Sequence, residues 1–392
     1  MEHLDPHEAP PEYLKQVFKR YKNMDIRNIN ADENIVDFRR IGAVGSGTVP
    51  KGLRDEVFLN YLCKRGKTPS GQLKSPGDGL NGESSLEEYA FDPEILPGRS
   101  EKFPMYEIMS LLLSIECPFP LLEIVAVAIF SLASSPSSPD NNLSGTLSDY
   151  ELGLVIIPSL IPVEVQAELV DEVLYDELPN PSHKTNLHAH YQVDFKDWQN
   201  CSPEAIIATP IDPTIHKPLT LSQVMTKKLR WITLGGQYDW TKKVYPEEEP
   251  PEFPYEMKWL VGQLFPEMEP EAAIVNFYSP GDTLSLHRDV SEEVDRGLVS
   301  ISIGCDCIFI IGLNKRDTNE DHIVVRLRSG DALYMTGESR FAWHGVPKII
   351  PDTCPSDLFE AVGKNCKKVA FSMANKRINL NVRQMRERRE NA

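Results

Sequence analysis

Between residues 273 and 383 the chain breaks repeatedly into short apolar runs: AAIVNFY, LVSISIG, CIFIIGL, HIVVRL, DALYM and RINLNVR, each bounded by Gly, Asp or Asn. Runs of this length between turn-forming residues predict strands, and several in succession predict an all-β sandwich or barrel. Upstream, GLVIIPSL predicts another strand. PVEVQAELVDEVLYDEL carries apolar residues at helical spacing and predicts a helix. The expected class is therefore mainly β within an α+β domain: a β core with supporting helices. No repeat of solenoid length is present.

At 392 residues the chain is long enough for two or three domains, or for one large domain with extensions. Residues 151–392 are expected to form the principal domain. Residues 1–63 form an N-terminal extension, in which Tyr13, Leu14, Val17, Phe18 and Tyr21 mark a short amphipathic helix. Residues 64–150 are expected to be a linker or insertion of low order, since 64–102 is rich in Gly, Ser, Pro, Lys and Glu without periodicity. Within 103–133, LLEIVAVAIFSLA contains Glu123 and follows Pro118 and Pro120. It is too short to cross a bilayer, which needs about 20 apolar residues. A buried or surface-docked helix, an insertion, and translated non-coding sequence all remain open.

The net charge is −17, from 41 Lys and Arg against 58 Asp and Glu. That balance argues against coating nucleic acid by bulk charge but leaves room for a local basic groove. The seven cysteines form no CxxC, so neither a disulfide framework nor a thiolate zinc site is legible, and a reducing compartment follows. Cys305 and Cys307 would share a face on one strand and read as small core residues. The N-terminus, MEHLDPHEAPPEY, resembles neither a secretory signal nor a transit peptide. The expectation is a monomer that is neither secreted nor membrane-bound, nuclear or cytoplasmic, with the mitochondrion open.

Three patterns carry less than they suggest. HRD at 287–289 lacks the downstream Asn of a kinase loop, since HRDVSEEVD follows, and no DFG appears. GAVGSGTV at 42–49 lacks GxGxxG spacing and any GK[ST], so a flexible turn is the better reading. His188 and His190 could offer two ligands from one strand face, but without a third partner they read as surface or structural histidines.

The chemistry concentrates in three segments. In NFYSPGDTLSLHRD, His287 and Asp289 lie two apart and leave an extended backbone on the same side. In GDALYMTGESRFAWHGV, His344 follows a strand and a turn. Two His and one carboxylate make the facial triad of non-haem Fe(II) oxygenases, though HxD alone is a weak signal. In RINLNVR, Arg377, Asn379, Asn381 and Arg383 share one face and Ile378, Leu380 and Val382 the other. That strand is either an exposed edge with a charged outer side or a wall whose arginines hold a dicarboxylate. Asn276 and Tyr278 likewise face one way on a second strand.

The ordered set N-x-Y-x-x-G-D-x-L-x-x-H-x-D, G-E-S-R-x-x-x-H-G and R-x-N-x-x-x-R-Q resembles the AlkB family of Fe(II)/2-oxoglutarate dioxygenases over about 273–384. A weaker match reaches back to about 151. KLRWITLGGQYDWTKK, AAIVNFYSPGDTLSLHRDVSEE and LVSISIGCDCIFIIG are most similar to the eukaryotic AlkB homologue 1 branch. The resemblance implies a double-stranded β-helix, or jelly roll, with a substrate lid. It implies that His287, Asp289 and His344 bind Fe(II). Arg377 would pair with the distal carboxylate of 2-oxoglutarate, helped by Tyr278, while Arg383, Asn276 and Asn379 secure the end nearer the metal. Trp240, with Tyr238 beside it, would stack on a methylated base, or else Trp240 anchors the lid in the core. Arg288 would point away from the metal, toward substrate or a carboxylate.

The implied activity is oxidative demethylation of a base in RNA or DNA, with tRNA favoured, consuming 2-oxoglutarate and O2 and releasing succinate and formaldehyde. The base would be single-stranded, looped or flipped, because a stacked base cannot reach a buried iron. TKKLRW, TKK and the C-terminal KRINLNVRQMRERR supply positive charge for phosphates. A protein or small-molecule substrate, and a non-catalytic adaptor, are the alternatives.

Overall fold

In the computed structural model, which describes residues 4–5, 7–38, 51–65, 153–240, 242–246, 248–312, 322–365 and 373–387, each of the apolar runs is a strand. One sheet has six strands: β2 (Leu154–Ile157), β12 (Ala332–Met335), β9 (Leu298–Gly304), β14 (Arg377–Arg383), β7 (Ala272–Tyr278) and β6 (Trp231–Gly235), in that order and antiparallel throughout. The other has five: β1 (Ile35–Val36), β11 (His322–Leu327), β10 (Cys307–Gly312), β13 (Trp343–Ile349) and β8 (Leu284–His287). In this sheet only β1 runs parallel to its neighbour. A small third sheet joins β3 (Tyr191–Val193), β4 (Ile206–Pro210) and β5 (Leu219–Thr220).

Strand alternation sorts the six-stranded sheet into two unlike faces. Ile378, Leu380 and Val382 pack with Val299, Ile301 and Val275 into a core shared with the helices α4 (Val163–Asp171), α5 (Tyr255–Leu264) and α6 (Ser356–Asn365). The opposite face turns toward the five-stranded sheet. There Leu298, Leu333 and Met335 meet Phe309, Val325 and Val346 in a second apolar cluster. The alternating polar residues of β14 and β7 lie on this inner side.

Gly304, at φ +93°, lets the chain turn from β9 into β10, where a Cβ would lie 2.3 Å from the Lys376 carbonyl oxygen. Cys305 therefore sits in the turn and Cys307 on β10, so one strand does not carry both, although both are buried. The predicted helix at 163–178 is α-helical to Asp171 and then widens into a π-turn over Glu172–Glu177. The wider turn passes the Leu178 amide to Val173, and the Leu174 carbonyl instead accepts from the buried Trp198 indole at 3.0 Å.

The N-terminal extension is packed into the same body. Helices α1 (Glu12–Asn23) and α2 (Ile26–Ala31) precede β1, and Leu14 fills the space a side chain on Gly312 would occupy. Burying Leu14 and Ile35 contributes about 2 kcal/mol each. Arg328 fixes the end of this segment by donating to Asp37 at 2.7 and 3.3 Å and to Asp306 at 2.8 Å. A further helix not foreseen from the sequence, α3 (Lys51–Lys64), lies against the helical layer, where the Tyr61 hydroxyl donates to Glu172 at 2.6 Å. Residues 66–150, including the 103–133 stretch and most of the expected linker, lie outside the described residues, as does GAVGSGTV. Among the described residues no helix is long and apolar enough to cross a membrane.

Candidate metal centre

Strand pairing brings two of the three expected ligands together. β8 and β13 are antiparallel with His287 opposite His344, and their ring centroids are 4.4 Å apart. Asp289 follows just past the end of β8, with its Oδ1 3.9 Å from His287 Nε2 and its Oδ2 3.7 Å from His344 Nε2. One ligand atom from each of the three lies within 4.8 Å of the others.

The protonation pattern suits a metal. His287 Nδ1 is 2.9 Å from the Ser285 carbonyl and His344 Nδ1 is 3.0 Å from the Ala342 carbonyl. A carbonyl only accepts, so both Nδ1 atoms carry hydrogen and the Nε2 atoms are the ones that face the carboxylate. Burial, then His287, pulls the His344 imidazole down to about 4, which keeps it neutral at pH 7. Burial pushes the Asp289 carboxyl up, but Arg383, the two imidazoles and Arg340 together hold it well below the usual carboxylate range. Three such donors on one side form a facial set that leaves other positions free for cosubstrate and O2.

Beside this set stands β14, paired on both sides between β9 and β7, so the edge-strand reading of RINLNVR does not hold. Its charged face is buried: Arg377 is 1% and Arg383 3% exposed. Register pairs Arg377 with Tyr278 and Asn379 with Asn276, so the separate sequence segments share one wall. Arg377 Nη2 donates to Ser302 Oγ at 2.9 Å, and Asn379 Nδ2 to Ser300 Oγ at 2.8 Å. The two serines are the polar positions of LVSISIG. Their alternation with Val and Ile was the available signal, and the sequence reading passed over it.

Several polar atoms of this wall are buried with no hydrogen-bond partner: Arg377 Nε and Nη1, Arg383 Nε and Nη2, Asn381 Oδ1 and Asp289 Oδ2. An unpaired buried polar group costs about 1–3 kcal/mol, more when charged. A wall so arranged does not serve stability and fits a dianion beside a cation. Asn276 and Tyr278 also line a cavity of about 310 Å³ together with Arg230, Trp231, Asp282 and Leu284.

Tyr238 and Trp240 lie close to the loop that carries Asp289. Trp240 is 46% exposed, which removes the reading of it as a core anchor. Its ring lies 4.8 Å from Trp231 and 4.9 Å from Tyr238. The Tyr238 hydroxyl is 3.2 Å from Ser291 Oγ, two residues beyond Asp289. Trp231 was not singled out in the sequence, although it opens a strand directly after the basic TKKLR stretch. Arg288 does turn away from the triad: it ion-pairs with Glu8 and lies 4.7 Å over the Trp343 ring. Of its two expected roles the structure displays the contact with a carboxylate. His188 is no metal ligand on a strand; it caps a 3-10 turn, where Nδ1 accepts the Thr185 amide at 3.0 Å. His190 instead packs against the His216 ring at 4.8 Å.

The model of the 2OG-Fe(II) oxygenase superfamily matches residues 153–383, and the chain belongs to that superfamily. Within it the similarity runs to AlkB homologues. An N6-methyladenosine RNA demethylase of Pyricularia oryzae is 46% identical over 264 residues, covering 60% of this chain and 75% of that protein. A second, from Cryphonectria parasitica, is 51% identical over 226 residues, covering 55% and 99%. A tRNA demethylase of Schizosaccharomyces pombe is 41% identical over 251 residues, covering 60% and 80%. The enzyme is accordingly an Fe(II)- and 2-oxoglutarate-dependent dioxygenase, and the unpaired donors and the Nε2-facing histidines described above fit those two groups.

Proposed function

We propose that this enzyme oxidatively demethylates bases in RNA, with tRNA favoured as the carrier and DNA as the rival, and that its two facing sheets are the double-stranded β-helix of the family. The observation that carries the reading is the adjoining of the His287–Asp289–His344 set to a buried wall of unpaired arginine donors, next to a cavity lined by Arg230 and Trp231. The relatives named as RNA and tRNA demethylases support the substrate class.

His287, Asp289 and His344 would hold Fe(II). Arg377, with Tyr278 packed 5.3 Å from its guanidinium, would take the distal carboxylate of 2-oxoglutarate, and Arg383, Asn276 and Asn379 the nearer end. When bound, the iron and 2-oxoglutarate activate O2, yielding succinate, CO2 and an oxidised substrate. The protein's part is to place a methyl group there and keep water out. Trp240 and Tyr238 offer stacking surfaces for an unstacked base. Arg230, which lines the cavity, and the exposed Lys227 and Lys228 just before it in the chain suit phosphate contacts. A hydroxylated N-methyl group is a hemiaminal and departs as formaldehyde.

Succinate release by the purified protein with Fe(II) and 2-oxoglutarate should rise when N-methylated RNA oligonucleotides are added, and less so with unmethylated controls. Matched DNA oligonucleotides distinguish the carrier. If neither methylated RNA nor methylated DNA stimulates turnover, the substrate is not a nucleic acid.

A further inference from the structure

Two of the three ligand-bearing positions are held by the sheet, but Asp289 is not. His287 ends β8 and His344 lies on β13, opposite each other in one ladder, whereas Asp289 lies in the loop that runs from residue 288 to residue 297 between β8 and β9. Something other than strand pairing must fix a loop-borne carboxylate if it is to meet a metal within a few tenths of an ångström.

The clamp is visible in the geometry of Arg340, a residue of the 3-10 turn Gly337–Phe341 that leads into β13. Arg340 is 1% exposed and spends its whole guanidinium on this loop. Nη1 donates to the Asp289 main-chain carbonyl at 2.6 Å, Nε to the Arg296 carbonyl at 2.9 Å, and Nη2 to Glu292 Oε2 at 2.8 Å. Both ends of the loop are thereby tied to the turn just before His344. Glu292, also 1% exposed at its side chain, uses its other oxygen to accept from Arg383 Nη1 at 3.0 Å, and that same nitrogen lies 3.4 Å from Asp289 Oδ1. One carboxylate thus spaces two guanidiniums, one gripping the backbone of Asp289 and the other facing its side chain. Two buried carboxylates and two buried guanidiniums balance, so the cluster tolerates burial only while complete.

We infer that Glu292 and Arg340 are a positioning pair that sets Asp289 for the metal, replacing in this loop the strand pairing that sets His287 and His344. The inference rests on the metal assignment above. Neither residue is in a position to touch cosubstrate through these contacts; both act through Asp289 and Arg383.

The test is Mn(II) binding to the metal-free full chain, followed by calorimetry, with the thermal transition of each metal-free variant recorded alongside. Arg340→Lys keeps the charge but cannot reach two carbonyls and a carboxylate at once. Glu292→Gln keeps the shape and removes the charge. Each should weaken Mn(II) binding tenfold or more while the protein remains folded, as loss of a ligand's supporting hydrogen bonds does at other metal sites. A role confined to stability would lower the thermal transition and leave the affinity of the folded protein in place. His287→Ala is the control: if wild type binds Mn(II) and His287→Ala does not, the metal site stands. Binding within twofold of wild type in Arg340→Lys then overturns the positioning role alone, and this variant decides the matter even if Glu292→Gln does not fold. Binding that survives in His287→Ala overturns the metal assignment and this inference with it.

Discussion

His287 and His344 make the same hydrogen bond: each turns Nδ1 to the carbonyl two residues before it in the chain, Ser285 for one and Ala342 for the other. The repeated contact leaves both Nε2 atoms bare on the side where Asp289 completes the set. Asp289→Asn preserves the shape and removes the charge, so Mn(II) affinity should fall at least tenfold while the fold is retained. Unchanged affinity by calorimetry would remove Asp289 from the ligand set.

Arg377 donates to Ser302 with one nitrogen and keeps two others unpaired. Arg377→Lys retains a positive charge but loses the planar fork that meets a carboxylate at two points. At about 1.5–3 kcal/mol for a charge-assisted hydrogen bond, the 2-oxoglutarate KM should rise roughly 10- to 100-fold. Metal affinity should stay where it was, since Arg377 makes its contacts with Ser302 and Tyr278. Succinate release against 2-oxoglutarate concentration reads the first, and calorimetry the second.

Trp240→Ala should lower kcat/KM for methylated RNA by about tenfold, the worth of one stacked base. The slow turnover of 2-oxoglutarate without nucleic acid should not change, because the side chain is exposed and its ring contacts are Trp231 and Tyr238, not the arginines. A loss of both activities together would assign Trp240 to the fold of the lid instead of to substrate.

Burial raises the Glu172 carboxyl to about 7, against the opposing pull of the Tyr61 hydroxyl and Arg65. The sign follows from which state holds the proton. Below about pH 4.5 the group is protonated folded and unfolded, and it costs nothing. Between there and about pH 7 the unfolded chain ionises first, so stability falls as pH rises, by a few kcal/mol in all. Glu172→Gln still accepts from Tyr61 and carries no charge, so it should flatten this fall and be the more stable form at pH 8. Urea midpoints at pH 4.5, 6 and 8 for both proteins give the comparison, and parallel curves would contradict it.

Arg328 neutralises Asp37, which is only 2% exposed. Arg328→Met should cost about 1.5–3 kcal/mol, since it removes charge-assisted hydrogen bonds to Asp37. Asp306 keeps Arg326 at 2.8 Å, so the loss should be traceable to the N-terminal segment. Amide hydrogen exchange is expected to rise first in residues 12–38.

The strands of the core were legible because alternation and turn residues report directly on a pleated, half-buried chain. The metal ligands were legible because iron restricts the residue types that can serve. What alternation could not decide was which side of RINLNVR faced water: a polar face looks the same beside solvent and beside a dianion, and only the flanking strands β7 and β9 separate the two. Arg340 and Glu292 were missed because their partners are main-chain carbonyls and each other, and main-chain acceptors leave no trace in side-chain spacing. Helix α3 was missed for a related reason. Its partner Glu172, and the Glu168 that pairs with the following Arg65, lie more than a hundred positions along the chain.

The two-residue strand β1 occupies the outer hydrogen-bonding side of β11, pairing Ile35 with Val324 and Val36 with Val325. A chain shortened to the family-matched stretch, which begins at residue 153, would leave those amides and carbonyls open beside the vacated seats of Leu14 and Ile35. An uncovered strand of this kind templates pairing with another molecule. The N-terminal segment up to residue 38 therefore covers a strand edge as well as adding to the core.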